Sequence, residues 1–225
     1  AKALDNGDTL NTTLATNSPS YVSNPLHPAS DYGRASFDVR HSAVVNATWE
    51  LPFASGQADQ GSSWPRRLIS HWRISGIAAL QSGIPFTPQL SYNPSNDGDT
   101  RNPVRPSWNP NFTGPMILGS ASRYFDPSAF IQPLPGTYGN AGRNVLTGPG
   151  MIEADVSLAK NVSLGEKREL QFRADFFNVL NHTNLNTPNP VVFTQAAGAP
   201  SPTAGVVTST STSSRQIQLA LKLSW

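Results

Sequence analysis

Polar and apolar positions alternate with a period of two in five long segments of this chain, and a helical period fits none of them better. Residues 214–225 are the cleanest case: Ile217, Leu219, Leu221, Leu223 and Trp225 share one face, and Gln216, Gln218, Ala220, Lys222 and Ser224 the other. Residues 37–53 set Phe37, Val39, His41, Ala43, Val45, Ala47, Trp49, Leu51 and Phe53 against Asp38, Arg40, Ser42, Asn46, Thr48 and Glu50. Residues 70–86 bring Trp72, Ile74, Gly76, Ala78 and Leu80 together. Residues 151–164 place Ile152, Ala154, Val156, Leu158, Val162 and Leu164 against Glu153, Asp155, Ser157 and Asn161. Residues 169–184 place Leu170, Phe172, Ala174, Phe176 and Leu180 against Gln171, Arg173, Asp175 and Asn181. All five are predicted strands.

Strand length and loop length then separate the architectures. A soluble strand averages about 5–6 residues, whereas a strand crossing a bilayer uses about 9–11. The five segments are longer than both and would overhang a membrane. Their connections alternate in length: only Gly165-Glu-Lys-Arg168 joins the third and fourth and an intermediate polar stretch, Ala54 to Arg67, the first and second, while residues 87–150 and 185–213 form long stretches rich in Pro, Asn, Gly, Ser and Thr. A compact soluble domain rarely carries a loop of sixty residues; a membrane barrel with short turns on one side and long extracellular loops on the other does. With Trp225 at the periplasmic rim, outward-facing Trp49, Phe53, Trp72, Phe172 and Trp225 fall near that rim, and Phe37 and Phe86 near the opposite one, as two interface girdles require. The reading is all-β: an antiparallel, up-and-down transmembrane β-barrel fragment in which all of residues 1–225 belong to the barrel.

Composition narrows the alternatives. Of the 225 residues 37% are hydrophobic and 13% charged, with a net charge of +2. No apolar run is long enough for a transmembrane helix, and no basic cluster interleaved with aromatics marks a nucleic-acid footprint. The absence of cysteine removes disulfides, thiolate metal sites and cysteine nucleophiles. His27, His41, His71 and His182 are dispersed without metal-ligand spacing, and Asn96-Asp-Gly-Asp99 lacks the downstream Glu of a calcium loop. No nucleophile elbow or phosphate loop is present, so neither enzymatic activity nor a cofactor is expected.

Five blocks of the sequence resemble the Oar-like TonB-dependent receptors. They are Asp31-Tyr-Gly-Arg-Ala-Ser-Phe-Asp-Val-Arg-His41 followed by Trp49-Glu-Leu-Pro-Phe53; Gln81-Ser-Gly-Ile-Pro-Phe-Thr87; Tyr124-Phe-Asp-Pro-Ser-Ala-Phe130; Gly139-Asn-Ala-Gly-Arg-Asn-Val-Leu-Thr-Gly-Pro-Gly150; and Phe172-Arg-Ala-Asp-Phe-Phe-Asn-Val-Leu-Asn-His-Thr-Asn184. The resemblance implies the C-terminal part of a barrel of about 22 strands, with about five strands and an N-terminal stub, Lys2-Ala-Leu-Asp-Asn6, present here. The family's plug and N-terminal carboxypeptidase-regulatory-like domain would lie outside this fragment. The resemblance further implies energy-coupled uptake of an unidentified solute in the bacterial cell outer membrane. The implied partners are outer-membrane lipid, the barrel assembly machinery and, through the missing N-terminal regions, the TonB complex. Ile217, Leu219, Leu221, Leu223 and Trp225 would carry the assembly signal, and Trp49, Phe53, Trp72 and Phe172 an interface girdle. Asp38, Arg40, Glu50, Arg173 and Asp175 would face the lumen, either paired with neighbours on the inner wall or touching a plug. Tyr92, Trp108, Phe112, Tyr124 and Phe130 are candidates for solute contact, against the simpler expectation that they pack the long loop onto itself. The alternative function is an outer-membrane structural or adhesion role without transport.

Overall fold

The structure, a computed structural model, describes residues 2–6, 23–24, 26–52, 70–98, 104–164 and 168–225. Among these residues, helix is limited to two single 3-10 turns, Pro28–Asp31 and Pro127–Ala129. The chain divides into two compact units: one formed by residues 42–80, 152–183 and 212–225, the other by residues 1–41, 81–151 and 184–211.

The first unit is built on a five-stranded sheet. Its strands are β1 (Ser42–Glu50), β2 (Trp72–Gln81), β3 (Met151–Ser163), β4 (Glu169–Phe177) and β5 (Gln216–Ser224). Sequential strands are neighbours, so the sheet is a meander with β1 and β5 at its open edges. Pairing is antiparallel: Phe172 stands opposite Leu221 and Lys160 opposite Phe172. At the two ends of the β1–β2 pair, the Leu51 amide donates to the Trp72 carbonyl (2.9 Å) and the Ser82 amide to that of His41 (2.8 Å). These two bonds give one unbroken register, which sets Thr48 opposite Ser75 and Glu50 opposite Arg73. Between β2 and β3, Asn161 N–H reaches the His71 carbonyl at 3.5 Å, which aligns Trp72 with Lys160.

Each strand lies inside one of the five alternating segments and is shorter than it, three of them markedly so. Residues 37–41 do not extend β1: Asp38 and Val39 donate their amides to Ala35 and Phe37, closing a turn instead of a ladder. The fourth strand ends at Phe177 rather than running to 184, because Asn178 and Asn181 adopt left-handed φ angles of 47° and 50°, which break extended backbone. Asn178 holds this bend with its own side chain. Its Oδ1 accepts from His182 N–H (3.0 Å), and its Nδ2 donates to the carbonyls of His182 (3.0 Å) and Ser213 (2.9 Å). The second strand stops at Gln81, and Phe86 is not a girdle residue: it is 1% exposed and sits in a core.

That core belongs to the second unit, into which the long loops fold. Phe86, Leu90, Phe125, Phe130, Leu146, Val192 and Phe193 form its centre, with Tyr92, Trp108 and Phe112 packed against it. Phe125 meets Phe86 at 5.9 Å and Phe130 edge-on at 6.2 Å, while Trp108 stacks on Phe130 at 5.1 Å. Asp126 starts the 3-10 turn that places Ala129 and Phe130 inward, its carboxylate accepting from Ser128 N–H at 3.0 Å. Short two- and three-residue strand pairs tie these loops together, among them Pro85–Phe86 with Leu146–Thr147. The N-terminal segment contributes Leu4–Asp5, which pairs with Gly33–Arg34 in this unit.

Candidate functional site

In an antiparallel sheet, residues directly opposite one another share a face, so the register of the meander assembles its two surfaces strand by strand. On one surface Val45, Ala78, Ile74, Ile152, Val156, Leu158, Phe172, Ala174, Leu219 and Leu221 stand together. They are accompanied by Trp49 and Trp72. Trp49 is 60% exposed, and Leu219, Leu221 and Trp225 are 66%, 70% and 88% exposed. Leaving a contiguous apolar surface of this size in water is unfavourable by roughly 25 cal/mol per Å2; a hydrocarbon environment removes that cost.

The opposite surface is a largely polar wall, interrupted by the exposed side chains of Val44, Ile77 and Phe177. Thr48 Oγ1 donates to Ser75 Oγ at 3.2 Å, and Gln171 Nε2 to Asn161 Oδ1 at 3.0 Å. Arg73 Nη2 pairs with Glu50 at 2.6 Å, and Arg173 Nε bonds both Asp175 (2.8 Å) and Ser157 Oγ (3.2 Å). Asp155 accepts the Asn178 amide at 2.8 Å, fixing the end of β4 to β3. Two shallow concavities open on this wall. One of about 550 Å3 has Glu50, His71, Arg73, Asn161 and Gln171 in its lining; the other, of about 390 Å3, is lined by Thr48, Ser75, Asp155 and Asp175 together with the apolar Ile77 and Phe177.

The predicted functional residues distribute unevenly over these surfaces. Ile217, Leu219, Leu221 and Leu223 lie in β5 on the apolar face, with Trp225 directly after the strand. Trp49, Trp72 and Phe172 share that face; Phe53 lies outside the described residues. Glu50, Arg173 and Asp175 line the polar wall as cross-strand or same-strand pairs. Asp38 and Arg40 are not on a strand at all. Asp38 is buried in the loop unit, where its Oδ1 accepts from Ala3 N–H at 3.0 Å. The alternation misplaced both because it continues through a turn whose residues happen to keep the pattern. Asp97, in the sequence that resembles a calcium loop, receives hydrogen bonds from Asn93 Nδ2 and Tyr138 Oη, both at 2.7 Å.

Sequence reasoning missed the polar skeleton of the loop unit. Arg34 donates to the carbonyls of Asn144 and Leu146 and to Thr147 Oγ1, each at 2.9 Å. Arg143 donates to the Asp31 carbonyl at 2.9 Å and forms an ion pair with Asp5. Asn144 closes the set, its Nδ2 donating to the Arg34 carbonyl at 2.7 Å and its amide to Thr87 Oγ1 at 2.9 Å. Arg105 and Asp31 form a buried pair at 2.7 Å. Burial pulls the Arg105 guanidinium below its ordinary pKa, and the Asp31 carboxylate pushes it back up. The only available sequence signal was the presence of Arg and Asn inside the resembling blocks.

An antiparallel meander exposing an apolar face, interrupted at Lys160, on one side and a largely polar, hydrogen-bonded wall on the other is a section of membrane β-barrel, with lipid outside and a polar interior. The family comparison reaches the same class: the chain belongs to the family described as "Outer membrane beta barrel domain", whose model matches residues 1–218. It is accordingly a protein of the bacterial outer membrane. No curated protein and no solved structure matches the chain.

Proposed function

We propose that this barrel section is part of a TonB-dependent receptor that takes up a solute across the outer membrane by energy coupling. The observation that carries the reading is the open, charged polar wall. On that wall Glu50 pairs with Arg73 across the strands and Arg173 with Asp175 along β4, a charged interior of the kind found in water-filled or plugged barrels. Such a wall suits a wide lumen occupied by water or by a plug. The sequence blocks shared with Oar-like receptors point the same way. In this reading the strand Gln216–Ser224 and Trp225 engage the barrel assembly machinery, and TonB acts through regions upstream of the barrel.

TonB dependence is the test. The complete protein, purified from outer membranes, is passed over immobilised periplasmic TonB domain. Saturable binding that is lost when the segment preceding the plug is deleted supports the receptor. A fully assembled protein that shows no TonB binding belongs instead to the structural or adhesion class.

A further inference from the structure

Two apolar side chains interrupt the polar wall where it is hollow. Ile77 and Phe177 are 46% and 40% exposed, and both border the concavity of about 390 Å3. Ser157 of β3 stands between them. The register sets it opposite Asp175 of β4 and aligns it with Ser75 of β2. Ile77 and Phe177 lie two residues further along those strands, so each is a diagonal neighbour of Ser157 at about 7–8 Å. Apolar surface held in water is unfavourable by roughly 25 cal/mol per Å2, and a guest with an apolar body removes that cost. A concavity of this volume holds a small organic group.

The surrounding charges define the guest. Asp155 is held beside Phe177, its carboxylate accepting the amide of Asn178 at 2.8 Å. Arg173 also reaches the concavity, where Asp175 balances it at 2.8 Å. Asp155 and Glu153, which is about 7 Å further along the same face of β3, add two more negative charges. Among the strand residues of this wall, the remaining cations, Arg73 and Lys222, belong to the short-turn half. We propose that the concavity is a subsite for an organic cation, an ammonium group carried on an apolar body. The body lies against Ile77 and Phe177, and the ammonium meets Asp155 and Glu153. An aromatic ring such as that of Phe177 further attracts a cation placed over its face. The inference rests on the receptor reading in one respect, that this wall borders a path open to solute.

Residues 1–225 contain no cysteine. Ser157→Cys in the complete, detergent-purified protein, with any cysteine elsewhere replaced by serine, therefore places a single thiol in the concavity. Ser75→Cys is a second reporter, and Gln171→Cys a control in the short-turn half. Modification is timed with trimethylammonioethyl and sulfonatoethyl methanethiosulfonates, each rate divided by that of a free thiol in solution. The cation-to-anion ratio at Ser157→Cys should exceed that at Gln171→Cys about tenfold, and Glu153→Gln should lower it several-fold. Phenethylammonium should protect Ser157→Cys from the neutral methyl reagent, while phenylpropionate and phenylethanol protect far less and Phe177→Ala abolishes the effect. Equal ratios at the two sites, or no protection by phenethylammonium, overturn the inference. So does a thiol that reacts only after unfolding, which would show another part of the protein covering the wall. Protection in a protein that does not bind TonB keeps the subsite and removes energy-coupled uptake; TonB binding without protection removes the subsite alone.

Discussion

Replacing Leu219 by arginine, and separately its neighbour Gln218, tests the two-faced sheet at its most exposed strand. Leu219 is 66% exposed on the apolar face, opposite Ala174 and close to the middle of β5. An arginine on the lipid side near the bilayer midplane costs about 2–4 kcal/mol, which is about 30- to 700-fold in the folding equilibrium. Gln218 pairs with Asp175 on the polar wall. An arginine there gains a carboxylate across the strand, a contribution of about 0.2–1 kcal/mol. Leu219→Arg should therefore be strongly destabilising and Gln218→Arg neutral or slightly stabilising, although the two sites are adjacent. The assay is reversible urea unfolding of the complete barrel in lipid vesicles, followed by heat-modifiable mobility. Because a slip of one residue exchanges the faces, equal losses at both sites, or the larger loss at Gln218, would refute the assigned register and with it the lipid-facing surface.

Deleting Trp225 from the complete protein should lower its level in the outer membrane, measured by quantitative immunoblotting of membrane fractions, while Trp225→Phe restores most of it; full assembly after deletion would assign Trp225 to the interface alone. The two kinds of ion pair should separate clearly. Asp31→Ala strands Arg105, whose side chain is only 6% exposed, and should cost the loop unit about 3–5 kcal/mol. Glu50→Ala removes an exposed pair and should cost less than about 1 kcal/mol; pulse proteolysis across a urea series measures both. Phe125→Ala, at a site that is 0% exposed between two other rings, should cost about 3–5 kcal/mol and open the long loops to protease. Gly139→Ala should also loosen them, since a Cβ there overlaps the carbonyl oxygens of Arg105 and Pro106; protease resistance equal to the parent would count against this packing.

The faces of the sheet were legible because a strand's side-chain period is locked to its backbone. Leu170, Phe172, Ala174 and Phe176 had to share a surface whatever they packed against, and antiparallel pairing then joined them to Leu223, Leu221, Leu219 and Ile217. Strand ends were not legible in the same way, because they depend on single backbone angles. Asn181 fits the alternating pattern and Asn178 is a single break in it, so the alternation carries past Phe177, and it is the left-handed conformation of both asparagines that ends β4. Lys160 shows the converse. It breaks the pattern in sequence, but its long stem lets it occupy an apolar position while its charge reaches the Ser70 carbonyl.

The loop unit adds a different lesson, since its organisation rests on contacts among segments far apart in the chain. The block at 31–41 supplies Arg34, whose guanidinium binds the backbone of the block at 139–150 through Asn144 and Leu146. That second block returns Asn144 to the Arg34 carbonyl and to Thr87, the last residue of the block at 81–87. The block at 124–130 contributes Phe125 and Phe130 to the rings around Phe86. Four separate motifs thus complete one another's hydrogen bonds and core, so each constrains the residues of the others although none is periodic. Hydrophobic patterning alone cannot reveal such a body: its buried groups include Asn144, Thr87, Arg143 and Asp31, residues that read as surface until their partners are in place.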